Sequence, residues 1–151
     1  MTGLVRGAVV GILAAAAMLA GCRAEERMLA TPGKPAIVPA RPASAALLGA
    51  ADIGARRLIL TIVAFTPPSD KKPVEIVVRA AAAGQGRELG RVAIMPYAAF
   101  RATDTARRQN FTFALPADLA GEKTLTLEVA LVPVLGGGKD ASLEVGGAAI
   151  R

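Results

Sequence analysis

The feature that most constrains the fold is an alternation of apolar and polar residues in short runs along the second half of the chain. In the clearest run, apolar Leu125, Leu127, Val129 and Leu131 alternate with polar residues such as Thr126 and Glu128. A two-residue period puts every second side chain on the same face of an extended strand, so the run predicts a strand with one buried face. Five further segments predict strands in the same way: Leu58–Val63, Val74–Arg79, Val92–Ile94, Phe111–Leu115 and Leu143–Ile150. The first of these is apolar on both faces, which predicts a central strand.

Glycine and proline clusters separate these runs. The turn segments are 66–70, 84–86 and 136–140; Pro116–Gly121 predicts one helical turn, and Gly146-Gly147 a β-bulge. Six short strands without a helix long enough for a βαβ unit predict an all-β domain. We expect a small antiparallel β-sandwich, or a barrel, of about six to eight strands spanning residues 53–151.

The first 21 residues predict an export signal. Arg6 is followed by the uncharged, apolar segment Gly7–Leu19 and then by small residues. A basic start, a short apolar stretch and small residues at the cut define a secretory signal peptide. A transmembrane helix is the weaker interpretation, because about 20 apolar residues are needed to cross a bilayer.

The cleavage site resembles the lipobox of bacterial lipoproteins, carried by Leu19-Ala20-Gly21-Cys22. The resemblance implies that the Cys22 thiol receives diacylglycerol, that the leader is removed before Cys22, and that the new amine is acylated. Two or more acyl chains hold a protein stably on a membrane. Arg23 in the sorting position implies the periplasmic face of the outer membrane, with the inner membrane or a single-membrane cell surface as alternatives.

Residues 22–52 predict a linker. Pro32, Pro35, Pro39 and Pro42 interrupt any regular period, and such spacing favours extended polyproline II, which acts as a semi-rigid spacer. Two alternatives stay open: a leader without a spacing role, and an edge strand at Ala36-Ile37-Val38.

Residue types exclude most catalytic chemistry. The chain has no histidine, which excludes Ser-His-Asp catalysis and most transition-metal sites. Its single cysteine is Cys22, and the predicted lipidation of that thiol leaves no thiolate nucleophile. Catalysis by carboxylates alone stays open in principle. The glycine runs 84–90 and 136–140 lack the residues of a Rossmann or P-loop motif. We predict a protein that is not an enzyme and holds no metal or cofactor.

The net charge of +6 comes from scattered basic residues rather than a block. A scattered positive charge of this size affects solubility and weak, non-specific attraction to anionic molecules, and it does not specify a partner. With so few aromatic residues in an exported chain, we predict no binding to nucleic acid.

Residues 95–109 form a connection that is long for a small β-sandwich, and they are a candidate partner-binding loop. Its aromatic and basic residues suit a protein or carbohydrate partner: Tyr97, Phe100, Arg101, Arg107 and Arg108. In the alternative, the two aromatic rings close the end of the core and the arginines face water.

The order of segments from Val74 to Ile150 resembles the C-terminal β-sandwich domain that follows the copper domain in tyrosinases and polyphenol oxidases. The resemblance is carried by GRVAIMPY (Gly90–Tyr97), FTFALPADLAGEKTLTLEVALVPV (Phe111–Val134) and ASLEVGGAAI (Ala141–Ile150). It implies a domain without copper ligands that covers a partner. We therefore expect a lipid-anchored, non-catalytic periplasmic β-sandwich that binds a protein, such as a copper oxidase. The alternative is an envelope structural or glycan-binding module.

Overall fold

A computed structural model describes residues 28–43, 56–82, 85–94, 97–103 and 107–151. The leader, Cys22 and the predicted domain boundary at residues 52–53 lie outside the described residues. The described part contains nine strands and one short helix: β1 Met28–Ala30, β2 Ala36–Pro42, β3 Arg57–Thr66, β4 Val74–Ala82, β5 Gln85–Val92, β6 Phe100–Arg101, β7 Gln109–Ala114, α1 Ala117–Ala120, β8 Leu125–Pro133 and β9 Ser142–Ile150.

All nine strands belong to one hydrogen-bonded sheet with the order β5-β4-β8-β2-β9-β3-β6, in which β1 also pairs with β9 and β7 with β3. The strand β1 pairs with the first half of β9, and β2 pairs with its last residues, so both lie on the same side of β9. In the same way β6 and β7 share the free side of β3. The all-β prediction is confirmed, with more strands than the six to eight expected.

The strand β2 corrects the interpretation of residues 36–42 as linker or edge strand. It lies inside the sheet, where Ala36–Ala40 pair antiparallel with β8 and Ala40–Pro42 pair parallel with β9. The side chains of Ala36, Val38 and Ala40 are buried. The sheet is therefore mixed rather than wholly antiparallel, because β2 joins two strands that run in opposite directions.

The core lies on one face of this sheet. Alternate aliphatic side chains of β2, β3, β4, β8 and β9 fill it, and Leu58, Leu127 and Val145 are fully buried. The prediction that β3 is a central strand is confirmed, since β3 has partners on both sides. Besides its core-facing residues, Val63 and Ala64 are buried, whereas Ile59 and Thr61 are half-buried. The register between β3 and β9 skips Gly146, which confirms the predicted bulge.

The two ends of the sheet approach each other, so the sheet rolls around its core. The terminal strand β5 contacts β7, and a Cβ on Gly90 of β5 would lie only 3.1 Å from the Phe113 ring of β7. Arg87 of β5 also donates two hydrogen bonds to the Asp118 carboxylate of α1, at 2.7 and 2.8 Å. The absent side chain at Gly90 thus leaves room for the ring that fills this seam.

The helical turn was predicted correctly and one strand was not. The helix α1 ends at Gly121, within the predicted Pro116–Gly121 turn. The third strand, β5, ends at Val92 instead of beginning there, and Gln85 and Gly86 lie in it rather than in a turn. Within the described ranges there is no helix long and apolar enough to cross a bilayer.

Candidate functional site: a braced loop surface

Three connections meet at one end of the rolled sheet. Thr66 at the end of β3 pairs with Ser142 at the start of β9, and Val74 at the start of β4 pairs with Pro133 at the end of β8. The β3–β4 connection (67–73) and the β8–β9 connection (134–141) therefore leave the sheet side by side. Residues 97–99, which lead into β6, contact the β3–β4 connection through Tyr97. We call these three segments the loop end.

Two aspartates brace the loop end. Asp70 accepts hydrogen bonds from the Gly138 amide at 2.9 Å and from the Lys72 amide at 3.1 Å. Asp140 accepts one from the Ser69 amide at 3.0 Å. Each connection thus supplies a carboxylate to the backbone of the other, and a charged acceptor makes the stronger kind of hydrogen bond.

The same contacts determine the charge of both carboxylates. Hydrogen bonds from the backbone amides of Gly138 and Lys72 lower the pKa of Asp70 below its usual 3.8. Hydrogen bonding to the side chain and backbone of Ser69 lowers the pKa of Asp140 in the same way. Both groups are therefore ionised across the neutral range, because these hydrogen bonds favour the charged form of each carboxyl.

Glycine is required where the two connections touch. Gly137 and Gly138 have φ of 91° and 65°, the left-handed region that favours glycine. A Cβ on Gly137 would collide with the Asp70 carboxylate, and one on Gly138 would lie 2.9 Å from the Val74 side chain. The predicted turn at 136–140 is therefore also a contact surface for the neighbouring loop.

Tyr97 joins the third segment to the β3–β4 connection and to β3. Its hydroxyl donates a hydrogen bond to the Lys72 carbonyl at 2.6 Å, and its ring packs against Phe65 with centroids 5.7 Å apart. Burial raises the pKa of Tyr97 above its usual 10. Tyr97 therefore acts as a neutral donor that holds the start of the loop to the β3–β4 connection.

The braced loops carry an exposed apolar tip and three exposed lysines. Val134 is 48% exposed and Leu135 is 70% exposed, the largest value among the exposed aliphatic residues of the described chain. Lys71, Lys72 and Lys139 on the same connections are also exposed. An exposed aliphatic pair on a fixed loop is a surface suited to a partner, whereas singly scattered aliphatic residues are ordinary.

The residues predicted as a partner-binding loop do not form a single exposed patch. Tyr97 and Phe100 are half-buried and pack against the core. Arg101 donates two hydrogen bonds to the Glu144 carboxylate, at 2.6 and 2.9 Å. Arg107 is exposed and Arg108 is half-buried, just before β7. Partner binding through these residues stays a prediction, as does lipidation of Cys22, which lies outside the described residues.

Sequence reasoning missed the braces and the tip. Asp70 and Gly138 are 68 residues apart, and Ser69 and Asp140 are 71 apart, so no local pattern connects them. The signal that could have indicated the braces is a pair of connections, each with an aspartate next to at least one lysine: Asp70 with Lys71 and Lys72, and Asp140 with Lys139. No predicted strand, turn or site includes Val134 or Leu135.

Other polar features of the described surface include ion pairs within β5 and between β5 and β4. Arg91 pairs with Glu88 at 2.8 Å and with Glu75 at 3.4 Å, beside a shallow hollow on the outer face of the sheet. Hydrogen bonding to Arg91 lowers the pKa of Glu88. Within the described ranges no three acidic, cysteine or histidine side chains come together as a metal site would require.

Comparisons with protein-family models, with curated proteins and with solved structures find no match to this chain.

Proposed function

We propose that the protein is a lipid-anchored, non-catalytic lipoprotein of the bacterial envelope that binds a protein partner through its loop end. The observation that carries the proposal is the apolar tip, Val134 and Leu135, on connections that the Asp70 and Asp140 braces hold together and that also carry three exposed lysines. Loops fixed before binding lose little conformational entropy when a partner docks, which is the advantage of a preorganised site.

The charges favour a partner of a particular kind. The two connections that carry the aliphatic tip also carry three exposed lysines, so the complementary surface is an apolar patch with an acidic rim. Lysines at a rim contribute mainly to association rate and orientation, and the buried apolar contacts contribute most of the affinity. A copper oxidase that lacks its own covering domain is the partner that the resemblance to tyrosinases implies.

A protein partner fits better than a glycan. Sugar rings usually stack on exposed aromatic faces, and the chain has one tyrosine and no tryptophan. The ring of Tyr97 packs against Phe65 and its hydroxyl is bonded to the Lys72 carbonyl. The envelope structural or glycan-binding module therefore ranks second.

Site-specific photo-crosslinking in intact cells tests the binding surface. A photoreactive residue at Leu135 is expected to give an adduct of one defined mass, whereas the same residue at exposed Thr126 of β8 gives none. Leu135→Asp is expected to weaken capture by about tenfold or more. Equal adducts from both positions, or none from Leu135, would contradict binding through the loop end.

Fractionation tests the anchor separately. We expect Cys22→Ser to leave the leader uncut or to release the protein from the membrane fraction, because the thioether to diacylglycerol cannot form on serine. Normal processing together with unchanged membrane retention in the variant would refute the lipid anchor.

A further inference from the structure

The distance between the proposed anchor and the first strand is short. The strand β1 begins at Met28, so residues 23–27 alone separate it from Cys22. A chain extends by at most about 3.6 Å per residue, so the Cα atoms of Cys22 and Met28 lie within about 22 Å of each other. A domain of about 100 residues has a radius of gyration of about 13 Å. The domain therefore stays close to the surface that holds the lipid.

The strands next to the anchor carry exposed aliphatic side chains on their outer face. Leu29 is 52% exposed between Met28 and Ala30, which face the core, and Ile37 is 57% exposed between buried Ala36 and Val38. The two strands contact each other. Leu29 pairs with Glu144 of β9, and Ile37 pairs with Glu128 of β8. Thr31 and Lys34 pair across the turn that joins β1 to β2. Both side chains therefore point away from the core on the same part of the surface.

Two cations lie on the same strands. Arg41 is exposed on β2 with the same alternation as Ile37, and Lys34 is exposed in the turn between β1 and β2. Neither is ion-paired with an acidic residue among those described. Lysine and arginine next to a membrane are attracted by anionic headgroups, while aliphatic side chains enter the interface between headgroups and acyl chains.

We propose that the outer face of β1 and β2, with Leu29, Ile37, Lys34 and Arg41, lies on the bilayer that holds the Cys22 lipid. This inference rests on the proposed anchor, since it takes the short connection as the cause of contact. The strands then run along the membrane, and the seam between β5 and β7, on the opposite side of the rolled sheet, faces away from it.

Labelling of introduced cysteines on vesicles tests the orientation. Since lipidation occupies Cys22, Ile37→Cys and Thr112→Cys each give the lipidated chain one free thiol. Thr112 is exposed on β7, so it serves as the control on the far side. Each purified lipoprotein is reconstituted in vesicles of phosphatidylethanolamine and phosphatidylglycerol and treated with a membrane-impermeant maleimide. Rates are divided by those of the same chain unfolded in denaturant, and flotation shows whether the lipoprotein is bound.

Three outcomes are distinguishable. Flotation of both variants, with labelling of Ile37→Cys slower than that of Thr112→Cys by about tenfold or more, is the expected result. Flotation with equal rates would overturn the membrane-facing surface and leave the anchor in place. Failure to float, with maleimide also reacting at Cys22, would overturn the anchor and with it the inference.

Discussion

At the scale of single residues, the carboxylates of the loop end connect two turns that are far apart in sequence. Asp70→Asn keeps the shape of the side chain but removes the charge that the Gly138 and Lys72 amides face. We expect the variant to unfold several degrees below the parent at neutral pH, measured by circular dichroism. Glu122→Asn, at an exposed site beyond α1, is the control and is expected to leave the melting temperature within about one degree.

The pH dependence follows from the lowered pKa values of Asp70 and Asp140. A carboxyl whose pKa is lower in the folded than in the unfolded chain contributes stability above its unfolded value, here about 3.8, which is lost as pH falls through the folded value. The deficit of Asp70→Asn is therefore expected to be constant above about pH 5 and to narrow below pH 4. Melting curves of the parent and the Asp70→Asn variant across this pH range measure the deficit. A deficit that grows in acid would contradict the stabilising role of the ionised Asp70 carboxylate.

Two glycines of the same turn separate backbone strain from crowding. Gly136 and Gly138 have nearly equal φ of 67° and 65°, but a Cβ on Gly136 meets open space and one on Gly138 meets Val74 at 2.9 Å. Either substitution by alanine is expected to cost about 1 kcal/mol for the left-handed backbone. Gly138→Ala should cost about 1–2 kcal/mol more, because the core side chain must move. Both unfolding free energies are measured by chemical denaturation. Equal losses for the two variants would contradict the expected cost of moving the Val74 side chain.

At the scale of the elements, the alternating runs were predictable and β2 was not. The β8 pattern of leucine and valine against threonine and glutamate shows its period directly. In β2 the period is carried by Ala36, Val38 and Ala40, and proline at 39 and 42 suggested polyproline II. Pro39 has no N–H to donate to a neighbouring strand; it pairs in register with Thr126 of β8 and lies just before pairing with β9 begins at Ala40. Long-range pairing thus overrides the local preference.

A pair of substitutions on β2 tests whether this strand supports the core. Val38→Ala removes a fully buried side chain and is expected to cost about 2 kcal/mol of unfolding free energy. Ile37→Ala, on the neighbouring exposed position, is expected to cost less than about 0.5 kcal/mol. Urea titrations measure the unfolding free energy of both variants. Similarly small losses for the two would indicate that residues 36–42 act as a linker and not as a core strand.

At the scale of the whole molecule, the sequence could predict an all-β domain and a loop region but not how the loops meet. Residues 95–109 were singled out for their aromatic and basic composition. The structure attaches Tyr97 to the Lys72 carbonyl and Arg101 to Glu144, contacts that depend on the sheet order. The exposed tip at Val134 and Leu135 likewise follows from where β8 ends, which hydrophobicity alone does not show.

The N-terminal strands β1 and β2 are part of the folded domain, whereas residues 23–27 only connect it to the proposed anchor. Deleting residues 23–43 removes β1 and β2, which join β8 to β9, and is expected to abolish cooperative unfolding. Deleting only 23–27 removes the connection and is expected to leave the melting temperature nearly unchanged. Proteolysis and circular dichroism compare the two chains. A cooperative transition in the longer deletion would show that the domain begins after β2.

The central claim is that Cys22 carries the lipid that holds this domain at a membrane. The most direct measurement is the mass spectrum of the N-terminal peptide of the protein purified from membranes. We predict a peptide that begins at Cys22 and carries a diacylglyceryl thioether and an acylated amine. A peptide in which Gly21 is still joined to Cys22, or one with a free Cys22 thiol, would contradict the account.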